Sequence, residues 1–138
     1  MDSKFIGDVV FDFYKVLKRE IEFEFKNFGI GVGQLQILMK LYEFNGVPVR
    51  QSYLIESIGV DKSNISRNLT KLLNKKLISI MFVNNRDKEI VLTQEGLAVK
   101  LSIMLSLQKM DSKMKRNTDE NDYTVTANTL LKMRDNLN

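Results

Sequence analysis

Residues 61–76 constrain the fold more than any other stretch of the chain, because they predict a helix with two unlike faces. Asp61 stands at the N-cap position, where its carboxylate can accept the unpaired N–H groups of the first turn. The stretch holds five cations and one anion, and its net charge of 5 − 1 = +4 equals that of the whole chain. Its apolar side chains recur at helical spacing and suit a core: Ile65, Leu69, Leu72 and Leu73.

The polar face of this helix has two interpretations. It is either the solvated side of an ordinary amphipathic helix, or a face that enters the major groove of DNA. There Arg can bond guanine and Asn can bond adenine, each through two hydrogen bonds, while lysines meet phosphates. The candidate DNA-binding residues of the helix are Lys62, Ser63, Asn64, Arg67, Lys71 and Lys75.

The composition argues against an enzyme. The chain has no histidine and no cysteine, which removes the usual zinc and iron ligands, the commonest general base and the thiol nucleophile. No glycine-rich phosphate loop or nucleophile-elbow pattern replaces them. We therefore expect no catalytic site, no metal site and no cofactor.

Length and hydropathy indicate one ordinary domain. The chain has 138 residues, of which 43% are hydrophobic and 28% are charged. It has no apolar run that could span a bilayer, no cysteine for disulfides, and a start that lacks the pattern of an export signal. We expect a cytoplasmic protein with no membrane partner.

The segments before residue 61 are mainly helical. Residues 5–28 have an apolar period of 3.6, although residues 21–25 also alternate as a strand would, and we favour a helix throughout. Its apolar residues cover more than one side, which is more surface than a small monomer can bury, so a partner subunit is expected. Helices are also predicted at 34–44 and 51–58, with an extended segment at 47–49 and Gly59 as a C-cap.

The segments after residue 76 begin with a hairpin. Residues 77–83 and 89–93 are apolar and β-branched, and residues 84–88 form a polar, charged tip. The tip is either an ordinary solvated turn or a DNA contact that places Arg86 in the minor groove, flanked by Asn84 and Lys88. The order of elements predicts a mainly α protein with a small β-hairpin wing (α+β), that is, a winged helix-turn-helix lobe.

The C-terminal part is predicted to be helical. Thr93 caps a long helix through about residue 114, and residues 97–107 are apolar nearly all round, so burial on several sides is expected. A polar break at 115–121 precedes a last helix at 122–137. The aromatic residues Phe25, Phe28 and Tyr42 are as compatible with a core as with a ligand pocket.

Several segments together carry a family resemblance. Residues 54–60, 61–67 and 72–78, followed by Leu92-Thr93-Gln94-Glu95-Gly96 with an arginine six residues before Leu92, resemble the MarR family of winged-helix transcriptional regulators. The resemblance covers nearly the whole chain. Asn84 departs from the family's wing aspartate, and Asp87 is the candidate to orient Arg86 in its place. Arg50 stands where the family has a Ser or Thr cap, and thiol-based sensing is excluded without cysteine.

The resemblance implies a dimeric, sequence-specific regulator, with a repressor expected. It implies a single MarR-like domain over 1–138, in which 31–96 form the DNA-binding lobe and 1–30 with 97–138 form a helical dimerisation region. The expected partners are double-stranded DNA with a pseudo-palindromic operator, a second copy of the chain, and a small aromatic or anionic effector. The candidate dimer-interface residues are Phe5, Ile6, Val9, Val10, Phe13, Leu17, Leu101, Leu105, Tyr123, Leu130 and Leu131.

The alternative is a winged helix that binds another protein and does not bind DNA specifically. A net charge of only +4 is compatible with that function, and a fold by itself does not decide function. Specific binding to a DNA duplex distinguishes the two hypotheses.

Overall fold

A computed structural model describes residues 5–138 and confirms the predicted fold class. Its strands form one antiparallel sheet in the order β1-β3-β2. The chain divides into two compact units, one ending at Ile103 and the other spanning Met104–Asn138. The elements are α1 (Ile6–Glu24), α2 (Val32–Glu43), β1 (Val49–Arg50), α3 (Gln51–Ile58), α4 (Lys62–Asn74), β2 (Ile78–Phe82), β3 (Lys88–Leu92), α5 (Gln94–Ala98), α6 (Lys100–Met114) and α7 (Glu120–Leu137).

The wing is the hairpin of β2 and β3, in register from Ile78 opposite Leu92 to Phe82 opposite Lys88. The predicted hairpin is therefore confirmed. The third strand is β1, which pairs Val49 with Ile90 and lies slightly later than the predicted 47–49. Pro48 stays outside the strand, since proline has no N–H to give to a ladder.

The core of the first unit lies between α2, α3, α4 and the sheet. Leu38, Leu54, Leu72 and Ile90 are fully buried there. The apolar stripe predicted on α4 is confirmed for Ile65, Leu69 and Leu72, all buried. The assignment of Leu73 to the stripe was wrong, because its side chain is 42% exposed. Leu73 follows Leu72 directly, and adjacent helical residues point about 100° apart.

The sequence Leu92-Thr93-Gln94-Glu95-Gly96 forms a tightly bonded joint between α4, the wing and α5. The Thr93 hydroxyl accepts a hydrogen bond from the Gly96 N–H at 3.0 Å and donates one to the Lys76 carbonyl at 2.6 Å. The Tyr42 hydroxyl donates to the Gly96 carbonyl at 2.8 Å, and burial raises the pKa of Tyr42 to about 12. The cap predicted at Thr93 is confirmed. The hydrogen bonds of this joint hold neighbouring elements of the fold together.

Two helix boundaries differ from the prediction. The helix predicted over 93–114 is two helices, α5 and α6, because Val99 has a ψ of −7° and the regular helical spiral is interrupted there. The first helix ends at Glu24 rather than near residue 28, and Lys26–Phe28 form a separate 3₁₀ turn closed by Gly29 at a φ of 66°. Residues 21–24 are helical, so the strand alternative is excluded for them.

Helix bounds elsewhere agree closely with the pattern. α3 matches the predicted 51–58, and Gly59 caps its end in the left-handed conformation at a φ of 76°. α2 begins at Val32, two residues before the predicted start, and contains Gly33. α7 begins at Glu120 behind an Asp119 cap, so the polar break is shorter than predicted. None of the helices within residues 5–138 has the length and apolar character needed to cross a membrane.

Large apolar surfaces stay exposed outside the winged-helix core. α1 and α7, both within the described residues, bury none of their side chains. In α6, Leu101 is 69% and Leu105 is 56% exposed, so the expected burial of residues 97–107 on several sides is not reached within one chain. In the second unit, the Tyr123 hydroxyl donates to Asp111 at 3.0 Å, and Lys115 pairs with the same carboxylate at 2.9 Å.

Candidate nucleic-acid interface

α4 presents a cationic polar face to solvent. The Asp61 carboxylate accepts a hydrogen bond from the Asn64 N–H at 2.7 Å, which confirms the predicted cap and fixes where the helix begins. The predicted residues Lys62, Ser63, Arg67 and Lys71 are all exposed, while Asn64 is half-buried. These side chains stand opposite the buried stripe, so a partner molecule could reach them without disturbing the core.

Lys75 differs from the other predicted cations of α4. Its ammonium group donates a hydrogen bond to the side-chain oxygen of Gln34, a buried residue of α2. Burial, followed by the positive charge of Lys71, lowers the pKa of Lys75. Because this ammonium is directed to the protein, Lys75 is poorly placed for a phosphate contact.

The wing tip is shaped by Asn84. Its side-chain oxygen accepts hydrogen bonds from the N–H groups of Arg86 at 2.7 Å and Asp87 at 3.0 Å, which closes the turn on itself. The Arg86 side chain is exposed at the tip. The Lys88 ammonium lies 5.3 Å from the ring centroid of Phe82, an aromatic residue that is 78% exposed. Asn84 therefore holds the loop that carries Arg86.

Asp87 bonds to the start of α3. Its carboxylate accepts hydrogen bonds from the Ser52 hydroxyl at 2.7 Å and the Ser52 N–H at 3.3 Å, and it lies 3.8 Å from Arg50. Among residues 5–138 no hydrogen bond or ion pair joins it to the Arg86 side chain, so no contact supports Asp87 as the residue that orients Arg86. Asp87 instead caps α3 from the wing, where Arg50 supplies no side-chain cap.

A cleft of about 320 Å³ lies between α3, the start of α4 and the wing. It brings together four of the predicted DNA-binding residues, whereas Ser63, Asn64, Arg67 and Lys71 of α4 are not part of its wall. No sequence pattern indicated the other wall residues, since most of them are polar types that are ordinary for short helices and turns. The predicted residues in the wall are Lys62, Asn84, Arg86 and Lys88, and those missed include Gln51, Ser52, Ser66 and Phe82.

Removing the carboxylate of Asp87 is expected to loosen the wing. Hydrogen bonding from the Ser52 hydroxyl is the main cause that lowers the pKa of Asp87 below its ordinary 3.8. A lowered pKa means that the stabilisation is complete above about pH 4 and is lost as the pH falls through the lowered value. Asp87→Ala should therefore lower Tm by a few degrees at pH 7, and the difference should shrink as the pH falls below about 4. Thermal melts across this pH range test it.

Ser52→Ala provides the matched control for that experiment. Ser52→Ala removes the hydroxyl bond to Asp87 but leaves the bond from the Ser52 N–H. If Asp87 acts through Ser52, the double variant should melt close to Asp87→Ala alone, because the hydroxyl bond is removed only once. Fully additive losses, or a difference between Asp87→Ala and the wild type that does not shrink as the pH falls below about 4, would contradict the cap.

The chain is similar to solved structures of known proteins, but no similar family model or curated protein was found. A MarR transcriptional regulator from Methanosarcina mazei Go1 superposes with a TM-score of 0.86 at 24% identity, covering 99% of this chain and 91% of that one. S. aureus MepR in complex with DNA superposes with a TM-score of 0.87 at 20% identity, covering 99% and 100%.

A further solved structure concerns a regulator under ligand control. Bordetella bronchiseptica BpsR, whose DNA binding is regulated by 6-hydroxynicotinic acid, has a TM-score of 0.82 at 14% identity. The alignment covers 98% of this chain and 97% of that one. The present chain shares the fold of all three regulators over nearly its whole length.

Proposed function

We propose that this chain, which has the winged-helix fold of the MarR family of transcriptional regulators, is a dimeric, sequence-specific DNA-binding regulator that acts as a repressor. The observation that carries the proposal is the exposure of two cationic elements, the outer face of α4 and the wing tip. They meet at the cleft through Lys62 and Arg86. A helix inserted in the major groove and a hairpin beside it in the minor groove match the two widths of B-DNA.

Each side chain of the site has a proposed contact. Ser63, Asn64 and Arg67 would face base edges, and Lys62 and Lys71 would meet phosphates on either side of the groove. Arg86 would enter the minor groove, helped by Lys88, while Asn84 keeps the tip in shape. In this arrangement the phosphate contacts supply affinity and the contacts of α4 supply sequence preference.

The exposed apolar helices support a homodimer. All the predicted interface residues except Leu17 are exposed in the single chain, and Leu17 is half-exposed. A second copy that packs on these side chains would remove their apolar surface from water. Two α4 helices related by two-fold symmetry would then meet half-sites about 10 base pairs apart, on a pseudo-palindromic operator.

An effector of the small aromatic or anionic class is also proposed. Its support is the ligand control of BpsR, whose regulator molecule is an aromatic acid. Such a ligand would weaken DNA binding by favouring a conformation that the operator does not. The cytoplasmic location stays a prediction.

Arg67→Ala tests the reading face, the surface of α4 formed by Ser63, Asn64 and Arg67 that we propose to contact base edges. We expect a loss of about 1–3 kcal/mol in binding to the preferred duplex and a relaxed preference at one base pair of each half-site, because a bidentate base contact is removed. Fluorescence anisotropy on a duplex obtained by selection from random DNA, at two salt concentrations, measures both effects. Arg86→Ala should mainly change preference in the flanks.

Arg116→Ala is the matched control, since it removes an exposed arginine from the turn between α6 and α7. It should leave affinity and preference close to those of the wild type. If Arg67→Ala behaves like this control, the reading face is assigned wrongly. If the wild type selects no duplex at any salt concentration, the protein-interaction alternative replaces the proposal.

A further inference from the structure

We infer that Asn68 is a positioning residue for base recognition: it holds the side-chain amide of Asn64 in one orientation, so that Asn64 offers N–H donors to the DNA bases. Asn68 is absent from the reading residues predicted from the sequence. The inference rests on the proposed function, because it concerns how the same face of α4 selects its operator.

The orientation of both amides follows from their hydrogen bonds. The Asn68 amide nitrogen lies 3.0 Å from the backbone oxygen of Asn64 and 3.0 Å from its side-chain oxygen. A backbone carbonyl can only accept, so the Asn68 atom beside it must be the NH₂ group. The Asn64 atom that faces the same NH₂ group must then be the oxygen, since two donors would repel.

Gly33 of α2 leaves the space in which the Asn68 amide lies. A Cβ atom at Gly33 would overlap this amide, and it would lie only 2.7 Å from its carbon and 3.0 Å from its oxygen. Asn68 is half-buried at this approach of α2 to α4. The amide is thus confined on one side by a helix that has no proposed DNA contact, and on the other by Asn64.

The nitrogen of the Asn64 amide is left for a partner molecule. Within residues 5–138 no hydrogen bond leaves this NH₂ group. A buried NH₂ group without a partner would be an unsatisfied buried atom, and in this part of the chain that class contains only Ser57 Oγ. The Asn64 NH₂ group is therefore open to solvent. Asn68 takes one of the two lone pairs of the Asn64 oxygen, whereas both hydrogens of the Asn64 NH₂ group are unbonded, so Asn64 presents itself chiefly as a donor.

A donor at this position changes the expected base preference. In the major groove guanine offers two acceptors, O6 and N7, whereas cytosine offers only the N4 donor. The bidentate bond to adenine needs an acceptor and a donor together, and Asn68 competes for that acceptor. Asn64 should therefore favour guanine over adenine, and cytosine least of all, at the base it contacts.

The experiment compares the operators that protein variants select from random duplexes. Asn68→Ala frees the Asn64 amide to rotate, and Gly33→Ala displaces the Asn68 amide from the side of α2. In both variants the preference for guanine at one position of each half-site should fall about tenfold. A loss of this size lies in the lower part of the discrimination that a bidentate base contact contributes. The salt dependence of binding should not change, because no phosphate contact is removed.

Two further variants separate positioning from general damage. Thr70→Ala removes another side-chain hydrogen bond of α4, from the Thr70 hydroxyl to the Ser66 carbonyl at 3.0 Å, and should leave the selected operator unchanged. In an Asn64→Ala background, Asn68→Ala should cause no additional loss of preference, because the side chain through which it acts is absent.

Three results would overturn the inference. The first is an Asn68→Ala operator identical to that of the wild type. The second is an equal loss of preference with and without the Asn64 side chain, which would make Asn68 merely structural. In the third, the wild type itself selects no duplex, and the proposed function fails together with the inference. That failure appears in the wild type, so it is distinguishable from the other two.

Discussion

Replacing Gly96 with alanine is expected to destabilise the winged-helix lobe by about 3 kcal/mol, the upper part of the range for overpacking a tight site. The added Cβ would overlap the backbone oxygen of Leu77, and it would lie 3.1 Å from the carbon of that carbonyl. Helix propensity alone would favour alanine by about 1 kcal/mol. A net loss of stability would therefore show that the steric overlap outweighs helix propensity.

The joint around Gly96 has little freedom to move away from such a clash. Its N–H is bonded to the Thr93 hydroxyl and its carbonyl accepts the Tyr42 hydroxyl, while the Thr93 N–H donates to the Leu77 carbonyl at 3.0 Å. Relief of the overlap would therefore break hydrogen bonds between buried or half-buried groups. This joint explains why a glycine follows the Thr93 cap at this spacing.

Urea denaturation at a fixed protein concentration measures the effect, because the stability of a dimer depends on concentration. Gln94→Ala is the matched control: Gln94 is an exposed residue of the same helical turn, and its loss should change stability by less than about 0.5 kcal/mol. If Gly96→Ala is as stable as this control, the joint is more adaptable than its hydrogen bonds indicate.

Leu101→Glu is expected to convert the proposed dimer into monomers. Leu101 belongs to α6 and is 69% exposed in the single chain, and it lies in the apolar surface that we assign to the second copy. In a two-fold dimer the substitution places two unpaired charges in the interface, each at a cost of several kcal/mol. The dimer dissociation constant should rise at least about 100-fold.

Analytical ultracentrifugation and DNA titration provide two readouts. The variant should sediment as a monomer and lose the gain in affinity that two linked half-sites give the wild type. Gln36→Glu adds the same charge to an exposed polar position of α2, outside the proposed interface, and should stay dimeric. A dimer that persists in Leu101→Glu would place the interface elsewhere and contradict the assignment of this surface.

Local patterns determined most elements of the fold. The helix of α4, its Asp61 cap, the hairpin, the bounds of α3 and the Thr93 cap all follow from spacing and from hydrogen bonds between residues close in the chain. Such features depend on a few neighbouring side chains, and a sequence contains all of them. The same holds for the exposed cations of α4, because helical periodicity places them opposite the stripe.

Contacts between distant segments were decided only by the tertiary structure. Lys75 turns to Gln34, Asp87 turns to Ser52 and Asn68 occupies the space above Gly33, across 41, 35 and 35 residues of chain respectively. Periodicity assigns a side chain to a face but not to a partner, since a hydrogen bond depends on ångström-scale placement of whole elements. For this reason the sequence identified the helix that we propose to bind DNA, and packing decided which of its polar side chains stay free for a partner molecule.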